Sequence, residues 1–237
     1  MTRPDDVTSP HVAPGVALPR PGAIAVAAVL ATLALAVLWT GVVTGMLLAA
    51  LDPVVERWIV AGRPPGLVVT AVWASVVGQP AVMIGVLVVA AGAGAWRSHS
   101  WTPVLIGAGA LVLLGLADNG VKAIVARPRP LLAWHAMPAH GLSFPSGHAL
   151  WSAGVLLLVV VLVGPIRGRP VLAVAALLVV VVVSGSRLVV AVHYPSDVLA
   201  GWSLAVIADG IVLLVAGGAR TTTTGRRRGS GVGQVVP

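Results

Sequence analysis

Long apolar runs alternate with short polar stretches along most of the chain. Six of these runs approach or exceed the ~20 helical residues that cross a hydrocarbon core, and they cover about 22–50, 67–95, 101–120, 149–166, 170–187 and 197–217. Val and Ala dominate the runs, but backbone groups in lipid must bond internally, which favours helices over strands. The pattern therefore predicts an all-α, six-span transmembrane helix bundle.

Two stretches depart from this simple pattern. Gly78-Gln79-Pro80 interrupts the second run, and we expect a kink there or an interfacial first part, because two separate spans would each be too short. The stretch 51–66 is the other. It places four apolar residues on one helical face, which predicts a short interfacial helix, although an ordinary polar loop fits equally well. The four are Val54, Val55, Trp58 and Ile59.

Composition supports a membrane protein. Hydrophobic residues make up 58% of the chain and charged residues 9%, against about 25% charged in soluble domains. Cys is absent, which excludes disulfides, thiolate nucleophiles and Cys-based metal sites. The segments 1–21 and 218–237 are rich in Pro or polar groups and are predicted to be disordered tails around one membrane domain, 22–217.

The net charge of +8 would suggest a nucleic-acid partner in a soluble protein. Here the basic residues flank apolar runs, which indicates membrane orientation instead. With both termini in the cytoplasm, nine of the 15 Lys and Arg residues fall on the inner side. These are Arg3, Arg20, Arg97, Arg167, Arg169, Arg220, Arg226, Arg227 and Arg228. The modest excess predicts cytoplasmic termini in a multi-pass protein of the cell membrane.

Three stretches that carry chemistry meet on the outer side in this topology: 122–130, 145–148 and 186–197. Together they gather four cations near two histidines and an aspartate. The cations are Lys122, Arg127, Arg129 and Arg187, and the other three are His148, His193 and Asp197. Ser146 and Gly147 begin a helix, whose free N–H groups favour an anion. The cluster predicts a site for a dense oxyanion, phosphate first of all.

Two histidines beside one anion indicate catalysis. A neutral imidazole can attack phosphorus, and a protonated one can give a proton to the leaving oxygen. Asp197 follows His193 by four residues, so it can orient that ring and stabilise the imidazolium. Because the chain offers no carboxylate cluster suited to Mg²⁺ and the histidines have this other role, we expect no metal and no cofactor.

The same residues form the pattern Lys-x6-Arg-Pro, Pro-Ser-Gly-His and Ser-Arg-x5-His-x3-Asp, which resembles the three-part signature of the type 2 phosphatidic acid phosphatase superfamily. This sequence matches each part in order. The matching residues are Lys122, Arg129, Pro130, Pro145, Ser146, Gly147, His148, Ser186, Arg187, His193 and Asp197. The resemblance implies an extracytoplasmic active site in a six-helix membrane phosphatase that hydrolyses lipid phosphates without a metal.

The resemblance also implies a role for each residue. His193 is expected to be the nucleophile that forms phosphohistidine, with Asp197 as its orienting partner and His148 as the general acid. The phosphate-binding group, called the phosphate cradle below, is expected to comprise Lys122, Arg129, Ser146, the Gly147 amide and Arg187. Polyprenyl diphosphates, phosphatidic acid and phosphatidylglycerol phosphate all fit such a cradle, and family analogy slightly favours a polyprenyl carrier.

Other interpretations stay open from the sequence. The enzyme could pass the phosphoryl group to a lipid or sugar instead of water. A non-enzymatic anion or lipid transporter would need the cations but not His193 with Asp197, and a vanadate haloperoxidase is disfavoured because those enzymes are soluble.

Five residues near the motifs have open or minor roles in this interpretation. Arg127 is expected either to snorkel or to contact a headgroup, and Asp118 to pair with Lys122 one helical turn later. Asp209 lies inside the sixth span and is either functional or structural. His135 and His140 are expected to be loop residues.

Overall fold

The computed structural model describes residues 16–46, 48–163 and 168–229, with side chains described to residue 219. Within these ranges every regular element is helical. The helices are α1 (Pro21–Thr44), α2 (Leu48–Gly62), α3 (Pro65–Val77), α4 (Pro80–Ser98), α5 (Thr102–Val125), a short 3₁₀ turn (Leu132–Trp134), α6 (Gly147–Val163), α7 (Arg169–Val189) and α8 (Pro195–Gly229). The predicted all-α class is confirmed.

Five of the described helices, α1, α4, α5, α7 and α8, are long and apolar enough to cross a membrane, and a bent pair, α2 with α3, would make a sixth. The shorter α6 lies at the centre of the bundle, where it packs against α4, α5, α7 and α8. Its side chains are buried on nearly every face. The outer helices instead leave large apolar side chains such as Leu30 and Leu178 exposed, as expected for a multi-pass membrane protein.

The run 67–95 is broken at Gly78-Gln79, where the sequence predicts a kink, but the expectation that two separate helices would each be too short to span is wrong for α4, which is long enough by itself. The chain forms two helices there, because Gln79 adopts an extended conformation before Pro80, with φ −60° and ψ 140°. Proline restricts the residue before it and lacks an N–H, so it begins a new helix more readily than it continues one. Consequently α3 packs mainly on α7, while α4 packs on α5 and α6.

The stretch 51–66 is helical through Gly62, which decides between the two alternatives left open. However, α2 buries its polar residues: Asp52 and Glu56 are 1% and 3% exposed, while Val54 and Trp58 are 52% and 77% exposed. The helix therefore turns its acids toward the bundle and its apolar residues outward. A 119° bend after it leads into α3.

Both predicted tails fall largely at the margins of the described structure. Residues 16–20 have no regular secondary structure, and α8 continues to Gly229, beyond the predicted end of the sixth span. Residues 1–15 and 230–237 lie outside the described residues. The division into tails and one membrane domain, 22–217, stays a prediction.

Candidate active site

The three motif stretches meet at one end of the bundle, in the loops beside α6. The Ser146 amide donates to the Asp197 carbonyl at 3.0 Å, which ties the start of α6 to the start of α8. A side chain on Gly201 of α8 would lie 2.8 Å from the Ser146 carbonyl oxygen. Glycine at this position therefore permits the close approach of the two helices that builds the site.

His193 occupies the loop between α7 and α8, and it is 2% exposed. Its Nδ1 lies 3.5 Å from Asp197 Oδ2, and its Nε2 lies 3.0 Å from Arg129 Nη1. Because a guanidinium only donates, Nε2 must accept, so the ring proton of the neutral form lies on Nδ1, facing Asp197. In this tautomer Nε2 carries the ring's lone pair, which accepts from Arg129 in the structure.

The charge state of His193 suits a nucleophile. The pKa of His193 is lowered to about 4, chiefly by burial; Asp197 opposes this shift, and the nearby cations Arg129 and Arg187 contribute to it. Since the pKa is lowered, the ring is neutral at pH 7 and can attack phosphorus without first losing a proton.

Asp197, which is fully buried, is held by several donors. The Tyr194 amide donates to Oδ2 at 2.9 Å and the Ser143 hydroxyl donates to the same oxygen. Arg127 Nη1 donates to Oδ1 at 2.6 Å. These bonds fix both carboxylate oxygens, so that Oδ2 faces the His193 ring.

Arg127, expected either to snorkel or to contact a headgroup, has a side chain that is only 13% exposed and is paired with Asp197 and Asp52. Its Nη2 donates to Asp52 Oδ2 at 2.7 Å, and the Tyr194 ring covers its face at 4.1 Å. Sequence reasoning missed Asp52 and Ser143 as neighbours of the site. For Asp52 the sequence did offer a signal. Asp52-Pro53 directly follows the first apolar run, and an acid inside or beside a membrane span often has a function.

Two donors of the predicted cradle have no hydrogen-bond partner among the described residues: Ser146 Oγ and Arg187 Nε, both buried. Arg187 is 3% exposed, and its Nη1 donates only weakly, to Met137 Sδ at 3.4 Å. Unpaired buried donors are costly. Their position beside His193 suits a ligand that brings acceptor oxygens, such as phosphate.

Lys122 extends from α5 toward the same end. It pairs with Asp118 at 2.5 Å, which confirms the predicted ion pair, and Trp151 Nε1 donates to the other Asp118 oxygen at 3.1 Å. A Cβ on Gly147 would lie 3.0 Å from Asp118 Oδ2 and 3.3 Å from Lys122 Nζ. Glycine therefore lets this pair approach the first residue of α6.

His148, the second residue of α6, is half-buried. Its ring bonds to the backbone carbonyl of Ser75 at the end of α3, and it lies within electrostatic range of Arg187, His193 and Lys122. All eight predicted site residues thus lie in one region.

The loop histidines and Asp209 are less central. His135 Nε2 bonds the Pro130 carbonyl at 3.1 Å, and the His140 carbonyl accepts from Arg129, so both histidines shape the loop over the site. Asp209 lies deep within α8, fully buried, and neither of its carboxylate oxygens has a hydrogen-bond partner in the described part of the chain.

No group of three or more His, Cys, Asp or Glu side chains arranged to hold a metal ion occurs in the described residues. The expectation of a reaction without a metal stays a prediction.

Comparison with known proteins matches this arrangement to a family. The model of the PAP2 superfamily matches residues 103–220. The decaprenylphosphoryl-5-phosphoribose phosphatase of Mycolicibacterium smegmatis is 34% identical over 158 residues, which cover 60% of this chain and 83% of that protein. The chain belongs to the PAP2 superfamily. The phosphatase of the same name from Mycobacterium tuberculosis is 36% identical over 125 residues, covering 52% of this chain and 64% of that one.

Solved structures of PAP2 enzymes share the fold. The phosphatidylglycerolphosphate phosphatase of Bacillus subtilis superposes with a TM-score of 0.68 at 22% identity, covering 82% of this chain and 96% of that one. Aquifex aeolicus LpxE superposes with a TM-score of 0.53 at 24% identity, covering 70% and 95%. These likenesses show the fold of a multi-pass membrane protein; that the protein is a PAP2 phosphatase of lipid phosphates rests on the family match and the mycobacterial relatives.

Proposed function

We propose that this phosphatase removes phosphate from a polyprenyl-linked lipid through a phosphohistidine on His193, without a metal ion. The observation that carries the proposal is the geometry of His193. Its Nε2 faces Arg129, its Nδ1 faces the fixed carboxylate of Asp197, and its pKa is lowered to about 4 by burial. A neutral, oriented imidazole near buried cations, one of which, Arg187, has an unpaired Nε among the described residues, is suited to attack a phosphate ester.

The first step forms a bond from His193 Nε2 to phosphorus and breaks the bond from phosphorus to the leaving oxygen. His148 gives a proton to that oxygen, and Asp197 stabilises the positive charge on the His193 ring. In the second step His148 removes a proton from water, whose oxygen attacks phosphorus. The N–P bond then breaks, inorganic phosphate leaves, and both histidines return to their initial states.

The cradle residues stabilise the charge on the phosphoryl oxygens during both steps. Ser146 Oγ and Arg187 Nε are the donors best supported for this role, because they are buried and unpaired among the described residues. Lys122 and Arg129 add positive charge, and the Gly147 amide at the start of α6 adds a helix N-terminal donor.

The relatives support a polyprenyl-linked substrate. Both mycobacterial proteins carry names that specify a decaprenylphosphoryl sugar phosphate. A site at the end of a membrane bundle suits a lipid whose phosphate reaches the cradle while its tail stays in the bilayer. We further propose that the site faces outward and both termini face the cytoplasm, from the excess of basic residues on the predicted inner side.

Phosphate release by detergent-purified protein in excess EDTA tests the proposal. The panel comprises a polyprenyl phosphoribose phosphate, a polyprenyl diphosphate, phosphatidic acid and phosphatidylglycerol phosphate, each with wild type and His193→Ala. We expect release that is fastest with a polyprenyl substrate, insensitive to EDTA and absent in the variant.

Other outcomes would change specific parts of the proposal. Fastest turnover of a glycerolipid would overturn the substrate class, and loss of activity in EDTA would overturn the route without a metal. Label transferred from the lipid to an added alcohol, with no free phosphate, would indicate a phosphotransferase.

A further inference from the structure

The buried acidic face of α2 contacts the predicted catalytic residues, although α2 lies outside the three motif stretches. Asp52 and Glu56 lie one turn apart and are both buried, while Val54 and Trp58 on other faces are exposed. Burying a carboxylate is costly unless it is paired. Asp52 finds such partners beside Asp197, whereas Glu56 Oε1 has no hydrogen-bond partner among the described residues.

Asp52 bonds two groups at the start of α8. Its Oδ2 accepts from Arg127 Nη2 at 2.7 Å and from the Ser196 hydroxyl, and its Oδ1 accepts from the Ser196 amide at 3.1 Å. Ser196 directly precedes Asp197, and the other arm of Arg127 reaches Asp197 Oδ1 at 2.6 Å. Asp52 is thus joined to Asp197 both through the backbone and through a shared guanidinium.

This sharing has an electrostatic consequence. Burial opposes the charge on Arg127, but the coulombic attraction of Asp197 and the hydrogen bond and charge of Asp52 together raise its pKa above the ordinary value. A guanidinium shared by two carboxylates neutralises each of them less than a guanidinium that serves one. Asp197 therefore keeps more of its negative charge for the His193 ring that faces Oδ2.

We propose that Asp52 is a positioning residue for the hydrolysis. It acts through Arg127 and Ser196 to hold Asp197 in place and to preserve the negative charge of its carboxylate. The inference rests on the roles proposed above for His193 and Asp197. Asp52 itself is not a catalytic residue, because its two oxygens are occupied by Arg127 and Ser196. Its effect should reach the chemical step and leave lipid binding nearly unchanged.

Asp52→Asn keeps the shape of the side chain but replaces one carboxylate oxygen with an NH₂ group. That group would face the N–H or O–H donors of Arg127 and Ser196. We expect kcat to fall about 10- to 100-fold, the size of a lost charge-assisted hydrogen bond, with KM within about threefold. Glu56→Gln is the matched control. It changes an acid to an amide on the same buried face, within electrostatic range of Asp197, Asp52 and Arg127, but no hydrogen bond joins Glu56 to Arg127 or Ser196 in the described residues. Its kcat should stay within about threefold of wild type.

Two further readouts separate positioning from a purely structural role. In Asp52→Asn the full charge of Arg127 acts on Asp197, so the pKa of His193, followed by nitrogen NMR of histidine-labelled protein, should fall further. In a double-mutant cycle with Arg127→Lys, the two losses should be clearly less than additive, because both act through one guanidinium. If Asp52→Asn does not fold, Ser196→Ala removes one bond to Asp52 and should give a smaller kcat loss of the same kind.

The inference is overturned if Asp52→Asn matches Glu56→Gln in kcat, if its only effect is a higher KM, or if the losses with Arg127→Lys are fully additive. Each of these results leaves the proposed function intact as long as wild type releases phosphate and His193→Ala does not. An active His193→Ala enzyme would instead overturn the catalytic assignment and the positioning role together.

Discussion

Two aspartates on α8, Asp197 and Asp209, are equally buried but have different surroundings. Both side chains are 0% exposed. Asp197 accepts bonds from Arg127, Ser143 and the Tyr194 amide and faces His193. Asp209, three turns deeper in the helix, has no hydrogen-bond partner in the described part of the chain. The comparison teaches that the surrounding donors, and not burial itself, distinguish the acid for which we propose a catalytic role.

Replacing each aspartate with asparagine should give the largest difference in kcat between Asp197 and Asp209. Asp197→Asn should lower kcat by about 10³- to 10⁴-fold, because the His193 ring loses the carboxylate that sets its tautomer and stabilises its charge. Phosphate release under saturating lipid measures this. A loss smaller than tenfold in a folded variant would remove the distinction between the two acids.

Ser146→Ala examines the anion side of the same site. Its buried hydroxyl has no partner in the described residues, so its removal costs little folding energy but deprives the transferring phosphoryl group of a donor. We expect kcat to fall about 10²-fold, with an unchanged melting temperature. A fall in melting temperature with full activity per folded molecule would assign the hydroxyl a structural role.

The protonation of His193 gives a prediction of intermediate size. Because its pKa is lowered to about 4, mainly by burial, the nucleophilic neutral form persists as pH falls and is lost only as pH approaches 4. Nitrogen NMR of the free, histidine-labelled enzyme, assigned with His193→Ala, should therefore show a midpoint far below the ordinary value of about 6.5. The midpoint should be unchanged in Asp209→Asn, and a midpoint at or above 6.5 in wild type would contradict the description of the site.

Asp209→Asn should have the smallest effect. The residue lies twelve positions from Asp197, about 18 Å along the helix, and its side chain has no hydrogen bond within the described residues. We expect kcat and KM within about twofold of wild type, measured in the same lipid assay. A loss of tenfold or more would show that this unpaired acid takes part in function after all.

The sequence alone predicted that the eight candidate site residues lie together, and the structure brings them to one end of the bundle because the motif spacings place them at helix ends; their roles stay a prediction. It also predicted the Lys122–Asp118 pair, which depends only on one helical turn. The Asp52–Arg127 pair spans 75 residues and leaves no local pattern. For the same reason the sequence did not predict which face of α2 is buried. Its apolar residues Val54 and Trp58 are exposed, and its acids are buried inside the folded bundle.

The break at Gly78-Gln79 shows a similar limit. Hydropathy indicated one long run, and only Pro80 hinted at the division into α3 and α4. Because of this division α3 packs on α7 while α4 packs on α6. The end of α3 then lies near the site, where the backbone of Ser75 bonds His148. Such pairing of helix ends is set by tertiary contacts, which hydropathy does not report.

Trapping the covalent intermediate tests the central claim most directly. Wild type would be mixed with a phosphate-labelled polyprenyl substrate in EDTA, quenched in alkali, where phosphohistidine survives, and digested for mass spectrometry. The account predicts label on His193, its absence in His193→Ala, and its loss on acid treatment. Label on another residue, or phosphate release by His193→Ala at the wild-type rate, would contradict it.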